Sequence, residues 1–517
     1  MESFLNEDYS VTAPTLWALV EARAAATPGA VMLIDERDRT LTFAEYRDAC
    51  ERAAAGFYVQ DVRGGDTISW QIPTWIETLV LMAALSRLGV RQVPLLPIYR
   101  ERELTFCLRQ AGAKTLYVPG TWRGFDYVAL AERVRERIGQ FDIAVLDHVL
   151  PDGDPTILPP PPSPEDAHAV RWVYYTSGTT SDPKGAQHTD HTSISSGIAF
   201  NDAQGPRPDD RYGVAFPFTH VGGLGNLCAV LNAGFSLVIT EFFDPSVSVE
   251  LFRRHGCTMV GGGPIFFKIF LDEQRKQPGV PILPKLRFMT GGGAPMPPEL
   301  HYEVKREMGG MGCANGWGMT ESCITAINDP RDTDEHIAET SGKPIPSVEV
   351  RVVLADGSDA PAEVDGELRI RGERVFKGYL DPVLNETAFD ADGWFCTGDV
   401  GHLTRDGYVV VTGRLKDIII RKGENISAKE VEDLLYAHPD IADAAVVGLP
   451  DRDSGERVCA VVTMSEGRTL TLADLTRYCV DAGVMRQKIP EQLEIVESLP
   501  RNATGKVLKH ELRARFV

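Results

Sequence analysis

Residues 172–185 read WVYYTSGTTSDPKG and are the most informative stretch of the sequence. An apolar, strand-like run leads directly into small, hydroxyl-bearing and glycine residues, and Lys184 follows them. Glycine lets a backbone approach a ligand closely, hydroxyl groups donate hydrogen bonds, and a lysine adds a positive charge. The stretch therefore predicts a phosphate-binding loop that follows a buried strand, and a polar, solvent-exposed turn is the alternative.

This loop differs from the mononucleotide P-loop. In the pattern G-x-x-x-x-G-K-[ST] a hydroxyl residue follows the lysine and reaches magnesium. Here Pro183 precedes the lysine and Gly185 follows it, so the sequence predicts another class of nucleotide site. The candidate phosphate-binding residues are Thr176, Ser177, Gly178, Thr179, Thr180 and Lys184.

The surrounding segments alternate between helix-like and strand-like patterns. Residues 40–57 place apolar side chains at three- and four-residue spacing, which indicates an amphipathic helix. The alternation that continues to residue 118 predicts an α/β core with helices covering a largely parallel sheet. The proline-rich residues 159–164 are typical of an extended surface connection, with an interdomain hinge as the alternative.

Two later segments differ from this core. Residues 348–375 have turn signals between short apolar runs and predict a small β-rich subdomain. After Gly413, strand-like and helical runs predict a compact α+β unit. With 517 residues the chain also exceeds one hydrophobic core. We therefore predict an N-terminal domain over residues 1–413 and a C-terminal domain over residues 414–517.

Composition and charge exclude several classes of function. The chain is 43% hydrophobic and 24% charged, as expected for a folded protein. Its net charge of −20 repels a polyphosphate backbone, which argues against general nucleic-acid binding. The nine cysteines form no C-x-x-C pair and are typical of reduced thiols. The acidic first residues and the lack of a long apolar run predict a cytoplasmic protein without a membrane span.

Further motifs follow the 172–185 loop along the chain. They are FPFTHVGGLG at 216–225, GGGAP at 291–295, NGWGMTE at 315–321, TGD at 397–399, GRLKDIIIRKGENIS at 413–427 and PRNATGK at 500–506. In sequence and order the set resembles the motifs of the adenylate-forming superfamily, which includes acyl-CoA synthetases, nonribosomal peptide synthetase adenylation domains and beetle luciferases. The resemblance spans nearly the whole chain and implies that family's fold, in which the C-terminal domain is mobile.

The resemblance implies a role for each nucleotide-site residue. Glu321 is expected to coordinate magnesium, Trp317 to stack on adenine, and Asp399 to accept hydrogen bonds from the ribose hydroxyls. Without the resemblance, Glu321 reads as an acid at a helix start and Asp399 as a turn residue. The family more often has tyrosine at the position of Trp317. Tryptophan retains a flat ring that can stack on adenine, but it lacks the tyrosine hydroxyl. The implied nucleotide-binding residues are Gly292, Gly293, Ala294, Asn315, Gly316, Trp317, Gly318, Met319, Thr320, Asp399 and Arg414.

The C-terminal motifs imply a mobile domain. An isolated lysine near the chain end is ordinarily inert, but by resemblance Lys506 bridges the acyl carboxylate and the α-phosphate during adenylation. Lys416 occupies the hinge position of the family. The loop Lys422, Gly423 and Glu424 resembles the segment that enters the site for thioester formation, where Ala428 replaces the usual proline.

By resemblance, the acyl pocket lies near the FPFTHVGGLG motif. The implied pocket residues are His220, Val221, Gly222, Gly261, Gly262, Gly263, Gly291 and Met319. The triple glycine at 261–263 suggests room for a medium- or long-chain fatty acid or a bulky alicyclic or ring-bearing acid. Without the resemblance, His220 reads as a packed histidine. The nearby HTDHT run at 188–192 invites a metal hypothesis, but a polar helix start is favoured.

The implied activity is that of an AMP-forming acid–thiol ligase. It uses ATP, Mg²⁺ and coenzyme A to convert a carboxylic acid first into an acyl-adenylate and then into a thioester. The catalytic candidates are Lys506, Thr320, Glu321 and His220. Transfer to a carrier-protein pantetheine, a luciferase-like oxygenase and a non-catalytic nucleotide sensor are the alternatives. A monomer or homodimer is expected.

Overall fold

The computed structural model describes residues 10–139, 141–176, 182–421, 424–452, 454–502 and 505–517. The helices are α1 (Leu16–Ala26), α2 (Phe43–Val59), α3 (Ile76–Arg87), α4 (Glu101–Ala111), α5 (Tyr127–Ile138), α6 (Asp190–Gln204), α7 (Val221–Ala233), α8 (Pro245–Arg254), α9 (Pro264–Arg275), α10 (Pro298–Met308), α11 (Asp334–Glu339), α12 (Asn385–Ala388), α13 (Ala428–Tyr436), α14 (Leu472–Asp481) and α15 (Lys509–Phe516). Short 3-10 turns occur at Pro155–Ile157, Pro164–His168, Pro382–Leu384, Leu415–Asp417 and Arg486–Lys488.

Most of the strands lie in four sheets. They are β1 (Val31–Ile34), β2 (Thr40–Thr42), β3 (Thr67–Trp70), β4 (Arg91–Pro94), β5 (Thr115–Val118), β6 (Thr121–Trp122), β7 (Phe125–Asp126), β8 (Asp142–Val145), β9 (Val170–Tyr175), β10 (Gly185–Thr189), β11 (Arg211–Val214), β12 (Ser236–Ile239), β13 (Met259–Gly261), β14 (Phe288–Gly292), β15 (Cys313–Met319), β16 (Ser322–Ile327), β17 (Lys343–Pro344), β18 (Val348–Val353), β19 (Gly366–Gly372), β20 (Phe395–Leu403), β21 (Val409–Arg414), β22 (Ile418–Arg421), β23 (Glu424–Ser427), β24 (Ile441–Asp451), β25 (Gly455–Met464) and β26 (Gln492–Ile495).

Two large sheets with parallel centres form the body of the N-terminal part. One has the order β17-β16-β15-β14-β13-β11-β12-β1-β2, and the other has the order β10-β9-β4-β3-β5-β8. The pairs from β1 through β12, β11, β13 and β14 to β15 are parallel, as are those joining β9, β4, β3, β5 and β8. The predicted α/β class is confirmed.

Local sequence explains why the predicted amphipathic helix forms. Helix α2 begins with a capping box, in which the Glu45 amide donates to the Thr42 hydroxyl and the Thr42 amide donates to the Glu45 carboxylate. Its buried side chains include Phe43, Tyr46 and Phe57, in agreement with the spacing of its apolar residues.

Helices α6 and α7 pack against each other unusually closely. A Cβ atom added to Gly197 of α6 would lie 2.6 Å from the backbone nitrogen of Ala229 in α7, so only glycine fits at this contact. At the far end of α7, Gly234 adopts a left-handed φ of +80° and caps the helix. The close contact fixes the position of α7, whose N-terminal residues belong to the FPFTHVGGLG motif.

The remaining sheets follow in chain order. An antiparallel sheet β18-β19-β20-β21 corresponds to the predicted β-rich subdomain, and a mixed sheet of β22 to β26 forms the C-terminal unit. The chain passes from one sheet to the other between Arg414 and Ile418, through the 3-10 turn Leu415–Asp417. The domain limits at residues 413 and 414 and the hinge at Lys416 stay predictions. Within the described residues, no helix combines the length and apolar character needed to cross a bilayer.

The sheet topology brings most of the sequence motifs to one place. Strands β9, β11, β13, β14 and β15 each end immediately before residues of a motif or of the predicted acyl pocket. Ligands of open parallel sheets bind beyond the carboxyl ends of the strands, because the loops that meet there expose backbone and polar groups. The fold therefore positions these residues around a common space.

Candidate active site

A cavity of about 550 Å³ gathers the predicted site residues. Its lining includes Thr176, Lys184, His220, Val221, Gly222, Gly262, Gly263, Gly291, Gly292, Gly293, Gly316, Trp317, Gly318, Met319, Thr320, Glu321, Arg414, Lys416 and Lys506. A neighbouring cavity of about 410 Å³ adds Ala294, Asn315 and Asp399 and shares Trp317, Arg414 and Lys506 with the first. Residues hundreds of positions apart thus meet around two adjoining spaces.

The predicted phosphate-binding residues begin where β9 ends. The Thr176 amide donates to the Lys184 carbonyl at 3.0 Å, which closes the base of the loop. The Lys184 ammonium lies 5.2 Å from the centre of the Tyr379 ring, a cation–π contact that leaves it beside the cavity. The predicted phosphate-binding residues Ser177, Gly178, Thr179 and Thr180 lie outside the described residues.

Glu321 is held as a buried carboxylate at the cavity wall. It lies in the turn between β15 and β16, so the interpretation as a helix-start acid is wrong. The residue is 8% exposed, and the Tyr379 hydroxyl donates to its Oε1 at 2.5 Å. Burial raises the pKa of Glu321, against the opposing effects of the Tyr379 hydrogen bond and the nearby Lys184. A cation bound here would restore the charged form.

This carboxylate fits a magnesium ion. Mg²⁺ is commonly held by one or two carboxylates together with substrate phosphates and water, rather than by a full set of protein ligands. Glu321 supplies a hard oxygen ligand in the same cavity as Thr176 and Lys184, where phosphates are expected. Within the described ranges there is no cluster of three or more His, Cys, Asp or Glu residues suited to a metal. One protein carboxylate is therefore what a Mg²⁺ ion bound together with a nucleotide would need from this site.

His188 supports the loop that carries Thr320 and Glu321. Its Nε2 lies 2.7 Å from the Thr320 carbonyl, and burial lowers its pKa to about 4. The ring is thus neutral at physiological pH and donates its Nε2 proton to that carbonyl. Asp190, the first residue of α6, accepts hydrogen bonds from the Trp172 indole and the Leu16 amide. The HTDHT run therefore forms the end of β10 and a polar helix start, as the favoured interpretation held.

Trp317, Asp399 and Arg414 form the predicted ribose end of the site. The Trp317 indole N–H donates to Asp399 Oδ2 at 2.8 Å, and Arg414 Nε lies 2.7 Å from Asp399 Oδ1. Asp399 and Arg414 face each other across the β20–β21 pair, which explains their contact. The sequence placed all three residues in one site but did not predict that the tryptophan positions the aspartate.

Asn315 extends the same end of the site. Its Oδ1 is buried and has no hydrogen-bond partner within the part of the chain that the structure describes. It lines the 410 Å³ cavity with Gly293, Ala294 and Gly316. A buried acceptor without a partner is costly, and a ligand amino group would satisfy it. The residues therefore fit the heterocyclic end of a nucleotide.

Lys506 enters the site on a short hairpin. Its amide donates to the Asn502 side chain at 2.9 Å, and the Asn502 and Gly505 amides close the turn with bonds of 2.9 Å each. Arg501 bonds the Gly505 carbonyl and pairs with Asp443 at 2.6 Å. Burial, followed by the nearby Arg414, lowers the pKa of Lys506 to about 8. The lysine is thus a cation at pH 7 that faces both cavities.

His220 lines the same cavity together with other predicted acyl-pocket residues. This residue caps α7, and its Nδ1 accepts a hydrogen bond from the Gly222 amide at 3.2 Å. Burial lowers the pKa of His220 to about 4. The imidazole is therefore neutral, and because Nδ1 accepts, its proton is assigned to Nε2. Such a ring offers a hydrogen-bond donor to a carboxylate that enters the pocket.

The triple glycine does not enlarge this pocket in the way expected. A Cβ on Gly261 would lie 2.1 Å from the Tyr212 hydroxyl, and one on Gly262 would lie 2.9 Å from Phe266. The prediction of open volume is therefore wrong at Gly261 and Gly262, because aromatic side chains fill the space beside them. Gly261 is also absent from the described cavity lining, whereas Gly262, Gly263 and Gly291 belong to it.

Of the three residues expected to act in thioester formation, the structure describes Glu424. Glu424 is exposed and lines neither cavity, and Lys422 and Gly423 lie outside the described residues. The hinge candidate Lys416 lines both cavities, and burial together with Arg414 lowers its pKa. Lys506 and Lys416 are thus both presented to the site in this arrangement.

Comparison with known families agrees with this geometry. The sequence model of the AMP-binding enzyme family matches residues 20–380, and that of the AMP-binding enzyme C-terminal domain matches residues 430–506. The chain belongs to the AMP-binding enzyme family. The predicted membership of the adenylate-forming superfamily is confirmed, and so is the enzyme class of an AMP-forming acid–thiol ligase.

Curated members of the family align along almost their whole length. The chain is 31% identical to the medium-chain fatty-acid–CoA ligase of Escherichia coli (strain K12), with 95% of this chain and 88% of that protein aligned. It is 34% identical to the 2-hydroxy-7-methoxy-5-methyl-1-naphthoate–CoA ligase of Streptomyces carzinostaticus, at 96% and 92% coverage. It is 32% identical to the salicyl-AMP ligase/salicyl-S-ArCP synthetase of Mycobacterium tuberculosis (strain ATCC 25618 / H37Rv), at 96% and 90% coverage.

One solved family member was determined in two states. ATP-bound MatB from Rhodopseudomonas palustris is 26% identical and aligns with a TM-score of 0.88 over 98% of this chain and 99% of its own. The apo form of MatB aligns over the same shares with a TM-score of 0.77, at 27% identity. The present chain is therefore more similar in structure to the ATP-bound form.

Proposed function

We propose that the protein activates a ring-bearing carboxylic acid as its acyl-adenylate and then transfers the acyl group to coenzyme A. The observation that carries this proposal is the cavity of about 550 Å³, whose lining combines Lys506 and Glu321 with aromatic walls. Those walls include Phe200, Phe216 and Phe266. Flat, rigid rings fit such walls better than a long flexible chain, whose ordering costs more conformational entropy.

In the first step a carboxylate oxygen of the acid attacks the α-phosphorus of ATP. The new bond joins that oxygen to phosphorus, the bond from phosphorus to the bridging oxygen breaks, and pyrophosphate leaves. Lys506 stabilises the negative charge that develops on the α-phosphoryl oxygens, and neutral His220 donates its Nε2 proton as a hydrogen bond that orients the carboxylate. A magnesium ion held by Glu321 would neutralise charge on the departing phosphates.

Residues at the ribose end hold the nucleotide during this step. Asp399 offers its carboxylate to the ribose hydroxyls, while Trp317 and Arg414 fix its orientation through the contacts described above. Lys184 and Thr176 face the phosphate chain. Because these groups are in place before the reaction, little reorganisation is needed as charge develops.

In the second step the thiol sulfur of coenzyme A attacks the acyl carbon. A carbon–sulfur bond forms, the bond from the acyl carbon to the AMP oxygen breaks, AMP leaves with that oxygen, and the thiol proton passes to water. Lys506 occupies the site in the present arrangement, so this step needs the C-terminal unit to turn. We assign the pivot to Lys416 and the units to residues 1–413 and 414–517. The passage between sheets through Leu415–Asp417 supports this assignment.

A carrier-protein pantetheine is the second candidate acceptor. It is favoured by the similarity to a salicyl-S-ArCP synthetase, whereas the similarity to two CoA ligases favours coenzyme A. The adenylation half of the reaction is common to both. The acceptor can therefore be tested separately from the acid.

The test is a panel of carboxylic acids assayed for acid-dependent pyrophosphate release with ATP and Mg²⁺, and for acyl-thioester by mass spectrometry with coenzyme A present. We expect aryl and cycloalkyl acids to exceed straight-chain acids of equal carbon number. Lys506→Ala should abolish pyrophosphate release, whereas the exposed Lys276→Ala serves as a matched control. Pyrophosphate release without thioester would favour the carrier-protein acceptor. Acid-independent or absent pyrophosphate release with every acid would refute the proposal.

A further inference from the structure

One face of α7 carries an unexpected polar group into the acyl end of the cavity. Gly222, Gly225 and Asn226 are three and four residues apart, so they lie on the same side of the helix, and all three line the cavity. The glycines present backbone there. Asn226 is thus the side chain that α7 directs toward this end beyond its N-terminal turn.

The side-chain nitrogen of Asn226 lacks a partner among the described residues. The residue is 6% exposed, and its Nδ2 has no hydrogen-bond partner within the part of the chain that the structure describes. Buried polar groups in proteins are nearly always paired, because an unpaired one loses its bonds to water without compensation. The two other asparagines of comparable burial on α6 and α7, Asn201 and Asn232, bond each other and backbone carbonyls. Asn226 therefore differs from these two asparagines in that its side-chain nitrogen is the unpaired atom, whereas theirs donate hydrogen bonds.

The surroundings of Asn226 limit what can pair with it. The charged residues that line the cavity within the described ranges are Lys184, Glu321, Arg414, Lys416 and Lys506. All of them belong to the motifs of the nucleotide and phosphate end. The acyl end is lined by aromatic rings, and His220 is neutral. A second carboxylate on the acid would lack a cation there, so the matching group is a neutral one.

The helix geometry gives the position of that group. At a rise of about 1.5 Å per residue, Asn226 lies about 9 Å along α7 from the cap residue His220. His220 marks the carboxylate end of the pocket, so a group that reaches Asn226 lies on the far side of a ring from the carboxylate. An amide presents a donor or an acceptor according to its rotation, and a hydroxyl group can satisfy both.

We propose that Asn226 determines specificity by hydrogen-bonding a neutral oxygen substituent on the far side of the acid's ring. This inference rests on the proposed acid activation and deepens it. Asn226 acts in recognition and does not touch the reacting carboxylate. The preferred substrates are then aryl or cycloalkyl acids with a distal hydroxyl, ether or carbonyl oxygen.

The experiment uses matched acids that differ by one oxygen. Pyrophosphate release is measured with 3-phenylpropanoate, 3-(4-hydroxyphenyl)propanoate and 3-(4-methoxyphenyl)propanoate, and with cyclohexanecarboxylate and its 4-hydroxy derivative. For the wild type we expect kcat/KM to be about tenfold or more higher for an oxygenated member, the effect of one hydrogen bond to a buried group. The methoxy acid accepts only, so its rank against the hydroxy acid reveals which amide atom faces the ligand.

Variants of Asn226 separate recognition from structure. Asn226→Leu keeps the size of the side chain and removes the amide, so the ratio of kcat/KM between the oxygenated and the unsubstituted acid should fall to near one. Its thermal midpoint without ligand should equal or exceed that of the wild type, because an unpaired polar group is lost. Asn226→Ser, which retains a hydroxyl, should keep part of the preference and serves if the leucine variant does not fold.

The outcomes distinguish the two proposals. If no acid supports pyrophosphate release by the wild type, the proposed function is refuted. If acids are activated but the wild type shows no preference for oxygen, or Asn226→Leu retains the preference or lowers both members equally, the Asn226 assignment alone is overturned.

Discussion

Gly505 sets how closely the Lys506 hairpin can dock onto the N-terminal part. Its φ is +82°, and an added Cβ would lie 2.2 Å from Ile265 Cγ2 and 4.0 Å from Phe266. Both contacts belong to the first turn of α9, which also borders the acyl end of the cavity. Gly505→Ala is therefore expected to push Lys506 away from the position it occupies here.

The magnitude has two parts. Overpacking by one methyl group costs about 1–3 kcal/mol when the neighbours cannot move freely. A left-handed backbone costs alanine about a further 1–2 kcal/mol, but this part is local to the hairpin and acts in every domain arrangement. The clash with Ile265 acts only when the hairpin is docked. Adenylation should thus slow by about 5- to 150-fold from the clash alone, while thioester formation from supplied acyl-adenylate changes little.

The assay compares the two half-reactions in one variant. Pyrophosphate release measures adenylation, and thioester formed from purified acyl-adenylate and coenzyme A measures the second step. Ile265→Ala in the Gly505→Ala background should restore most of the adenylation rate, because it removes the clashing methyl group. Gly467→Ala is the matched control, since Gly467 has a φ of +71° in the C-terminal unit with no atom within 4 Å of its Cβ position. Equal loss of both half-reactions, or no rescue by Ile265→Ala, would refute the reasoning.

Other perturbations test single contacts of the site. Because Lys506 has a pKa of about 8 and acts as the cation, kcat/KM for adenylation should fall as pH rises through 8, and Lys506→Arg should lack that decline; a wild-type profile that is flat to pH 10 would contradict this role. Tyr379→Phe removes the hydrogen bond that lowers the pKa of Glu321, so adenylation should need more Mg²⁺ and its acid limb should move to higher pH, as measured by Mg²⁺ and pH titrations of pyrophosphate release; unchanged titrations would exclude this positioning role. Trp317→Phe keeps a flat ring but removes the donor to Asp399, so KM for ATP should rise about five- to tenfold with KM for the acid unchanged; a matched rise in both would point to general distortion.

Much of the site could be predicted because its residues lie in short, contiguous motifs. Glycines, hydroxyls and charges that follow a strand are recognisable wherever the strand ends, and the parallel sheet then brings those ends together. This explains why Lys184 could be predicted from the residues themselves, whereas Glu321 and Asp399 were predicted from the resemblance of their motifs to a known family. Each motif is contiguous in the sequence, whereas the contacts between motifs depend on the tertiary structure.

The contacts that orient these residues could not be predicted in the same way. Tyr379 bonds Glu321 across 58 positions, His188 bonds Thr320 across 132, and Trp317 bonds Asp399 across 82. No local pattern marks such pairs, because they depend on how separate sheets pack. The expectation of open volume at Gly261 failed for a related reason. The side chain of Tyr212, which lies on another strand, occupies that space.

The close contact between Gly197 and Ala229 has a consequence for redesign of this enzyme. The two helices touch through backbone atoms. If α7 moved away from α6 to accept a bulkier acid, this helix–helix contact would be lost. The packing of α6 against α7 therefore fixes the depth of the acyl end of the cavity. Laboratory evolution toward larger or smaller acids should accumulate replacements among the wall side chains, and libraries that vary the helix spacing should yield mostly unfolded protein.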